Sequence, residues 1–216
     1  MKLAKLVAYR KDWPWDAFLG SPACLKWSFR DLQQLDEALK LVPGRKLVVQ
    51  AGGNLGIFPK RLAEEFSRVI TFEPDAKLFA RLKLNAPEPN IQAIRAALGE
   101  SNEPIGLACR RRDTSGRAVH EGLTHVSGKG VIPQVRLDDM NLSACDLIYL
   151  DIEGYELFAL RGAERTIERH RPVIGVENNR ASTYYGVQRE TIQQWILSKN
   201  YKLSFKLNSD EVYIPC

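Results

Sequence analysis

From Arg45 onward the chain alternates short buried-strand signals with amphipathic helix signals, and that alternation restricts its fold more than any other feature. KLVVQ, RVITF, DLIYLDI and RPVIGVE are nearly continuous apolar runs, the pattern of strands covered on both faces. PKRLAEEF, DAKLFARLKLN, YELFALRGAERTIERH and RETIQQWILSKN carry apolar residues at helical spacing, and NIQAIRAAL contains a further strand. Strand–helix–strand succession produces parallel pairing with helices on both faces of the sheet. The closing runs YKLSFKLN and EVYIP are separated only by a turn at Asn208-Ser209-Asp210, so they must pair antiparallel. The expected fold is α/β: a doubly wound, mostly parallel, seven-stranded sheet ending in an antiparallel hairpin.

A length of 216 residues suffices for one such domain with a full core. Residues 45–216 are expected to form it. Residues 1–44 are expected to be a helical and aromatic segment packed on it, with Trp13, Trp15, Phe18, Trp27 and Phe29 followed by the helix DLQQLDEALKLVPG. The net charge of +5 is mild and leaves nucleic acid, acidic glycans and plain solubility open. Arg110-Arg111-Arg112 runs straight into Asp113 and reads as a solvated loop. Cys24, Cys109, Cys145 and Cys216 form no CxxC pair, which argues against a zinc knuckle and for free thiols in a reducing compartment. With neither a signal peptide nor a membrane span in the sequence, a cytoplasmic location and no membrane partner are expected. The glycine-rich stretch Gly106–Gln134 holds His120 and His125 and reads as a strand followed by a long loop at the mouth of a site.

Ligands of doubly wound sheets bind at the carboxyl ends of the strands. The first such end is Gln50-Ala51-Gly52-Gly53-Asn54-Leu55-Gly56. Gly52 and Gly53 admit close backbone approach, and Gly56 lets the next helix pack near the strand. Its Gly-x-x-x-Gly spacing suits a ligand without a pyrophosphate. The second end is Phe72-Glu73-Pro74-Asp75, where Glu73 lies at the distance of an acid that accepts from a ribose diol and Asp75 fits a helix N-cap. The third offers the small residues Ala96 and Ala97, suited to a flat base or to plain apolar filling. The fourth, Asp151-Ile152-Glu153-Gly154-Tyr155-Glu156, places three acids directly after a buried strand. Asp151 is expected to point into the cleft; Glu156 suits either the first turn of a helix or the site. The fifth, Glu177-Asn178, suggests with Asp151 an all-oxygen set for a hard cation such as Mg2+, or else hydrogen bonds to substrate hydroxyls.

These runs resemble the FkbM-type methyltransferases, a family within the S-adenosylmethionine-dependent class. LDIEGYELFALRGA, Leu150 to Ala163, is similar to the family's aspartate-led strand end, acid-glycine-aromatic-acid turn and helix ending near Gly-Ala. QAGGNLG, FEPD, NIQAIRAALGE and RPVIGVEN stand in the family's order. The resemblance spans Leu47 to Asn178 and leaves the first part of the chain and the Gly106–Gln134 stretch uncovered. It implies a Rossmann-like methyltransferase fold and methyl transfer from S-adenosylmethionine, mostly to hydroxyls of sugars, polyketides or other natural products. By residue it implies that Gly52, Asn54 and Gly56 hold the amino-acid end of the cofactor, that Glu73 holds the ribose, and that Asp151 lies beside the reacting centre. The catechol-type O-methyltransferases are similar in the acids at their fourth and fifth strand ends, which hold magnesium. Gln50 departs from the family, which has an acid there. The lost charge is worth about 1–3 kcal/mol at a buried contact, and on this reading Gln50→Asp should tighten cofactor binding.

An aliphatic hydroxyl must lose its proton as it is methylated. Asp151 is one candidate base, and His125 and His120 are others if their loop folds over the site. A metal that lowers the hydroxyl pKa is the alternative. A small-molecule or glycan acceptor is the favoured partner. A nucleic-acid acceptor is the second reading, against which no NPPY-like or DPPY-like run occurs. A cofactor-binding module without catalysis, suggested by Gln50, is the third.

Overall fold

All five residues of β1 (Leu47–Ala51) are buried, because the strand runs through the interior of a seven-stranded sheet. The computed structural model describes residues 32–109 and 124–216. The aromatics Trp13 to Phe29, Cys24, the Arg110–Arg112 cluster and His120 lie outside the described residues. After β1 come β2 (Arg68–Phe72), β3 (Ile91–Ile94), β4 (Ala97–Leu98), β5 (Ile105–Cys109), β6 (Thr124–Lys129) and β7 (Gln134–Val135). They are followed by β8 (Leu147–Leu150), β9 (Val173–Glu177), β10 (Tyr201–Leu207) and β11 (Asp210–Pro215). The helices are α1 (32–39), α2 (Ile57–Ala63), α3 (Ala76–Asn85), α4 (Glu156–Arg161), α5 (Glu164–His170) and α6 (Arg189–Ser198).

The sheet order is β10-β11-β9-β8-β1-β2-β3. β1 pairs in parallel with β2 and β8, and β11 pairs antiparallel with both β9 and β10. The chain winds outward from β1 to β3 and then returns to β8 on the other flank of β1, so the winding reverses between β1 and β8. A crevice opens above the strand ends at such a reversal. The α/β expectation, the parallel centre and the antiparallel closing pair are all present.

Alternating residues of β1 divide between two apolar layers. Leu47, Val49 and Ala51 face one formed with Leu157 and Leu160 of α4, Ile167 of α5, and Ile192 and Ile196 of α6. Val48 faces the other, with Leu32, Leu35 and Leu39 of α1 and Leu62 of α2. Truncating a fully buried leucine such as Leu160 to alanine is expected to cost about 2–5 kcal/mol. A buried polar tie crosses the second layer: Gln34 Nε2 and the Tyr149 hydroxyl both donate to Asp210 Oδ2 at 2.8 Å, joining α1, β8 and β11. No helix among the described residues is long and apolar enough to cross a membrane.

Two local expectations change. YELFALRGAERTIERH forms two helices, α4 and α5, because Gly162 is pressed onto the loop after β4: a Cβ there would stand 1.9 Å from the Gly99 carbonyl oxygen. The Gly106–Gln134 stretch, read as a strand and a loop, contains a second strand, β6, which pairs antiparallel with β5. His125 therefore lies on a strand, opposite Ala108, and not in a loop.

Candidate active site

The glycine turn after β1 is fastened to both neighbouring strands. Gly52 N and Gly53 N donate to the Phe72 carbonyl at 3.1 and 2.9 Å, and Asp151 N donates to the Ala51 carbonyl at 3.1 Å. Gly52 has φ +87°, and a Cβ there would lie 1.9 Å from the Asp151 carbonyl oxygen. Only glycine brings these two strand ends so close. Asn54 also takes a left-handed conformation, and Gly56, at φ +87°, starts α2 against Leu82 of α3.

Glu73 closes the turn from the next strand. Its Oε2 accepts from Asn54 N at 2.7 Å and its Oε1 from Asp75 N at 2.9 Å. Burial, opposed by those two backbone bonds and aided by the Asp75 charge, pushes its pKa up to about 7. Asp75 caps α3 as expected, accepting from Lys77 N and Leu78 N at 2.8 and 2.9 Å. Half-buried Pro74 joins Asp75, Arg95, Leu107, Val131 and Ile132 around an open cleft of about 410 Å3. Ala96 and Ala97 are 2% and 6% exposed and do not line this cleft; Arg95 does.

Gln50 is fully buried beneath the turn. Its amide nitrogen donates to the Ala51 and Gly52 carbonyls at 3.0 Å each, and its Oε1 accepts from the Thr71 hydroxyl at 2.5 Å. The side chain thus serves as an internal tie. An acid at this position would lose both donors and set negative charge against two carbonyl oxygens. The expected gain from Gln50→Asp becomes an expected loss. Sequence reading missed this because the key partner, Thr71, lies on the neighbouring strand.

At the fourth strand end, half-buried Asp151 opens a tight turn through Glu153 and Gly154, at φ +57° and +97°. Glu156 takes the structural part of its two readings: fully buried at the start of α4, its Oε1 accepts from Ile152 N and Gly154 N at 2.9 and 3.3 Å. Burial pushes its pKa up to about 8, against those two bonds and with help from the Glu177 charge. Of the expected oxygen set of Asp151, Glu177 and Asn178, the last two make hydrogen bonds to neighbouring elements. Asn178 Nδ2 donates to Glu211 Oε2 at 2.9 Å and to the Arg189 carbonyl at 3.1 Å, while Glu177 accepts from the Ser209 hydroxyl at 3.2 Å. The fifth strand end is tied toward β11, and among the described residues no group of three or more His, Cys, Asp or Glu side chains is placed to hold a metal ion.

Gly154 packs directly on the 3-10 segment Arg180–Tyr185 that follows β9, where a Cβ would stand 2.3 Å from the Ala181 carbonyl carbon. The Tyr185 hydroxyl of that segment donates to the Val126 carbonyl of β6 at 3.2 Å. The His125 and Tyr184 rings stand 6.3 Å apart. The structure thereby brings His125 beside the segment that supports the Asp151 turn. The tyrosine pair was not singled out in the sequence; the signal available was two adjacent aromatics before Gly186, just after the fifth strand end.

The Methyltransferase FkbM domain family matches residues 58–203. No curated protein matches the chain. Among solved structures, methyltransferase FkbM from Methylobacillus flagellatus KT is similar, with a TM-score of 0.50 and 20% identity over 79% of this chain. This chain covers 43% of that protein, less than half its length. The Streptococcus mutans protein SMU.1697c in complex with SAH has a TM-score of 0.51 and 8% identity, over 84% of this chain and 94% of that one. Precorrin 8w decarboxylase from Methanobacterium thermoautotrophicum has a TM-score of 0.50 and 11% identity, over 86% and 90%. At these identities the likeness shows a shared fold.

Proposed function

The chain belongs to the FkbM methyltransferase family, and from that premise we propose that it transfers a methyl group from S-adenosylmethionine to a hydroxyl of a sugar, glycan or other small natural product. The observation that carries the reading is the meeting of Gly52 with the Asp151 carbonyl, where the winding of the sheet reverses. It puts two adjacent glycines next to an acid that stays partly exposed.

The residues present fit the cofactor. Asn54 Oδ1 is a buried oxygen with no hydrogen-bond partner, and Glu73 is a buried carboxyl with acceptor capacity beyond its two backbone bonds. When bound, S-adenosylmethionine supplies a methyl already activated as a sulfonium. Gly52, Gly53, Asn54 and Gly56 would receive its amino-acid end, Glu73 its ribose hydroxyls, and the cleft beside Pro74 and Arg95 its flat base. Gln50 would act on it only through the turn. Asp151 would orient the acceptor hydroxyl and take its proton, with His125 as the second candidate for that base.

Calorimetry with S-adenosylhomocysteine, followed by a labelled-methyl assay on saccharides, hydroxylated polyketides and RNA, tests this reading. Cofactor-product binding with transfer to a saccharide or polyketide hydroxyl is expected. Neither binding nor transfer to any acceptor would sink the enzyme reading, binding without transfer would leave the non-catalytic module, and transfer to RNA alone would replace the acceptor class.

A further inference from the structure

We propose that Tyr184, with His125 beside it, is the platform on which the acceptor's sugar ring stacks, an inference that rests on the O-methyltransferase reading above. The 3-10 segment that carries Tyr184 adjoins the candidate chemistry, because Gly154 of the Asp151 turn packs onto the Ala181–Ser182 peptide. The segment is also firmly built. Asn179 Oδ1 accepts from Ala181 N at 2.5 Å, Val187 N donates to the Ser182 carbonyl at 3.2 Å, and Ser182 is 1% exposed.

The two adjacent tyrosines are used differently. Tyr185 packs edge-on against Tyr155 and Phe158, with ring centroids 5.2 and 5.9 Å away, and ties β6 through its hydroxyl. Tyr184 is 54% exposed, though it neighbours so well packed a residue. Its ring and that of His125 stand 6.3 Å apart at 35°. Two tilted rings from separate elements form a shallow V and not a parallel slot for a flat base.

An aromatic face with a polar tip suits a saturated polyol: the ring covers the sugar's C–H face while phenol and imidazole meet hydroxyls at its edge. A hydroxyl acceptor next to Asp151 brings such a ring with it when the acceptor is a saccharide. The platform thus selects saccharides over open-chain alcohols.

Saturation-transfer NMR on the S-adenosylhomocysteine-loaded protein provides the test, with methyl glycosides of glucose, galactose, N-acetylglucosamine and rhamnose as probes. The expected result is saturation of ring C–H protons of at least one glycoside. Tyr184→Ala should weaken that contact by about tenfold or more and Tyr184→Phe should keep most of it, with S-adenosylhomocysteine affinity unchanged within about twofold in both. Glycoside contact that survives Tyr184→Ala overturns the proposal, as does the absence of contact with any probe. Binding of a single-stranded RNA oligonucleotide that is lost in Tyr184→Ala, in place of glycoside binding, also overturns it. Failure of the wild type to bind S-adenosylhomocysteine shows before any glycoside is added and brings down the underlying methyltransferase reading together with the platform.

Discussion

Gln50 and Thr71 sit opposite each other on adjacent parallel strands, and the Thr71 hydroxyl donates to the Gln50 side-chain oxygen at 2.5 Å. This bond orients the amide so that its nitrogen meets the two carbonyls of the glycine turn. The conformation of the turn therefore depends on a neutral side chain.

Replacing that side chain by an acid should loosen the turn. Gln50→Glu keeps the shape but sets a carboxylate oxygen against the Ala51 and Gly52 carbonyls, and Gln50→Asp also loses reach. Each is expected to cost about 2–4 kcal/mol of stability and to weaken S-adenosylhomocysteine binding. Urea unfolding and calorimetry check both effects.

Glu73 should make cofactor binding release a proton. With its pKa near 7 in the folded chain, the carboxyl is partly protonated at neutral pH, whereas ribose hydroxyls donate best to the charged form. Affinity for S-adenosylhomocysteine is expected to rise with pH through about 7 and to level off above about 8. Calorimetry in buffers of different ionisation enthalpy should detect the released proton, and Glu73→Gln should abolish the release.

Stability should run the other way with pH. Glu73 and Glu156 have folded pKa values of about 7 and about 8, both raised from 4.5. The folded chain holds their protons more tightly than the unfolded chain does. Their contribution is therefore fully present below about pH 4.5 and is lost as pH rises through 7 and 8, on the order of a few kcal/mol in all. Glu156→Gln keeps an oxygen for Ile152 N and Gly154 N without a charge. It should be close to wild type at about pH 4 and increasingly more stable than wild type as pH rises toward about 9, which thermal melts across pH will reveal.

Gly52→Ala should be severe for a small change. The position has φ +87°, and its new methyl would meet the Asp151 carbonyl oxygen at 1.9 Å, a backbone atom that cannot swing away. A loss of about 2 kcal/mol or more is expected, with cofactor binding lost even where the chain still folds. Circular dichroism and calorimetry separate the two effects.

Asp151→Asn and His125→Gln distinguish the candidate bases. The variant that removes the base is expected to lower kcat by about 10²–10⁴-fold while leaving S-adenosylhomocysteine affinity near wild type. The other should change KM more than kcat. Steady-state kinetics with the acceptor found in the labelled-methyl assay decide between them.

The central strands were legible in the sequence because β1, β2, β8 and β9 are apolar runs that burial on both sides demands. Asp75 was equally legible, since a helix cap is a local device. The break between α4 and α5 was not, because Gly162 answers to Gly99, far away along the chain. The pairing of β6 with β5 was hidden for a similar reason: Ser127, Gly128 and Gly130 look like a loop until Ile105 and Leu107 lie alongside. Gln50 could be seen as an odd residue at a strand end, but its function depended on Thr71, and the packing of Arg180–Tyr185 on the Asp151 turn depended on the glycine at 154.

The close approach of Gly52 to Asp151 also bears on how such a protein can change over evolutionary time. On the proposed reading, cofactor capture depends on residues up to Arg95, and acceptor choice on β6 and the segment after β9. At the reversal of the sheet the two halves touch through main chain, at Gly52 and the Asp151 carbonyl, so substitutions on the acceptor side need no compensating substitution in the glycine turn. Libraries varied at Arg180 and Tyr184 can therefore drift toward new acceptors while inheriting an intact methyl donor site.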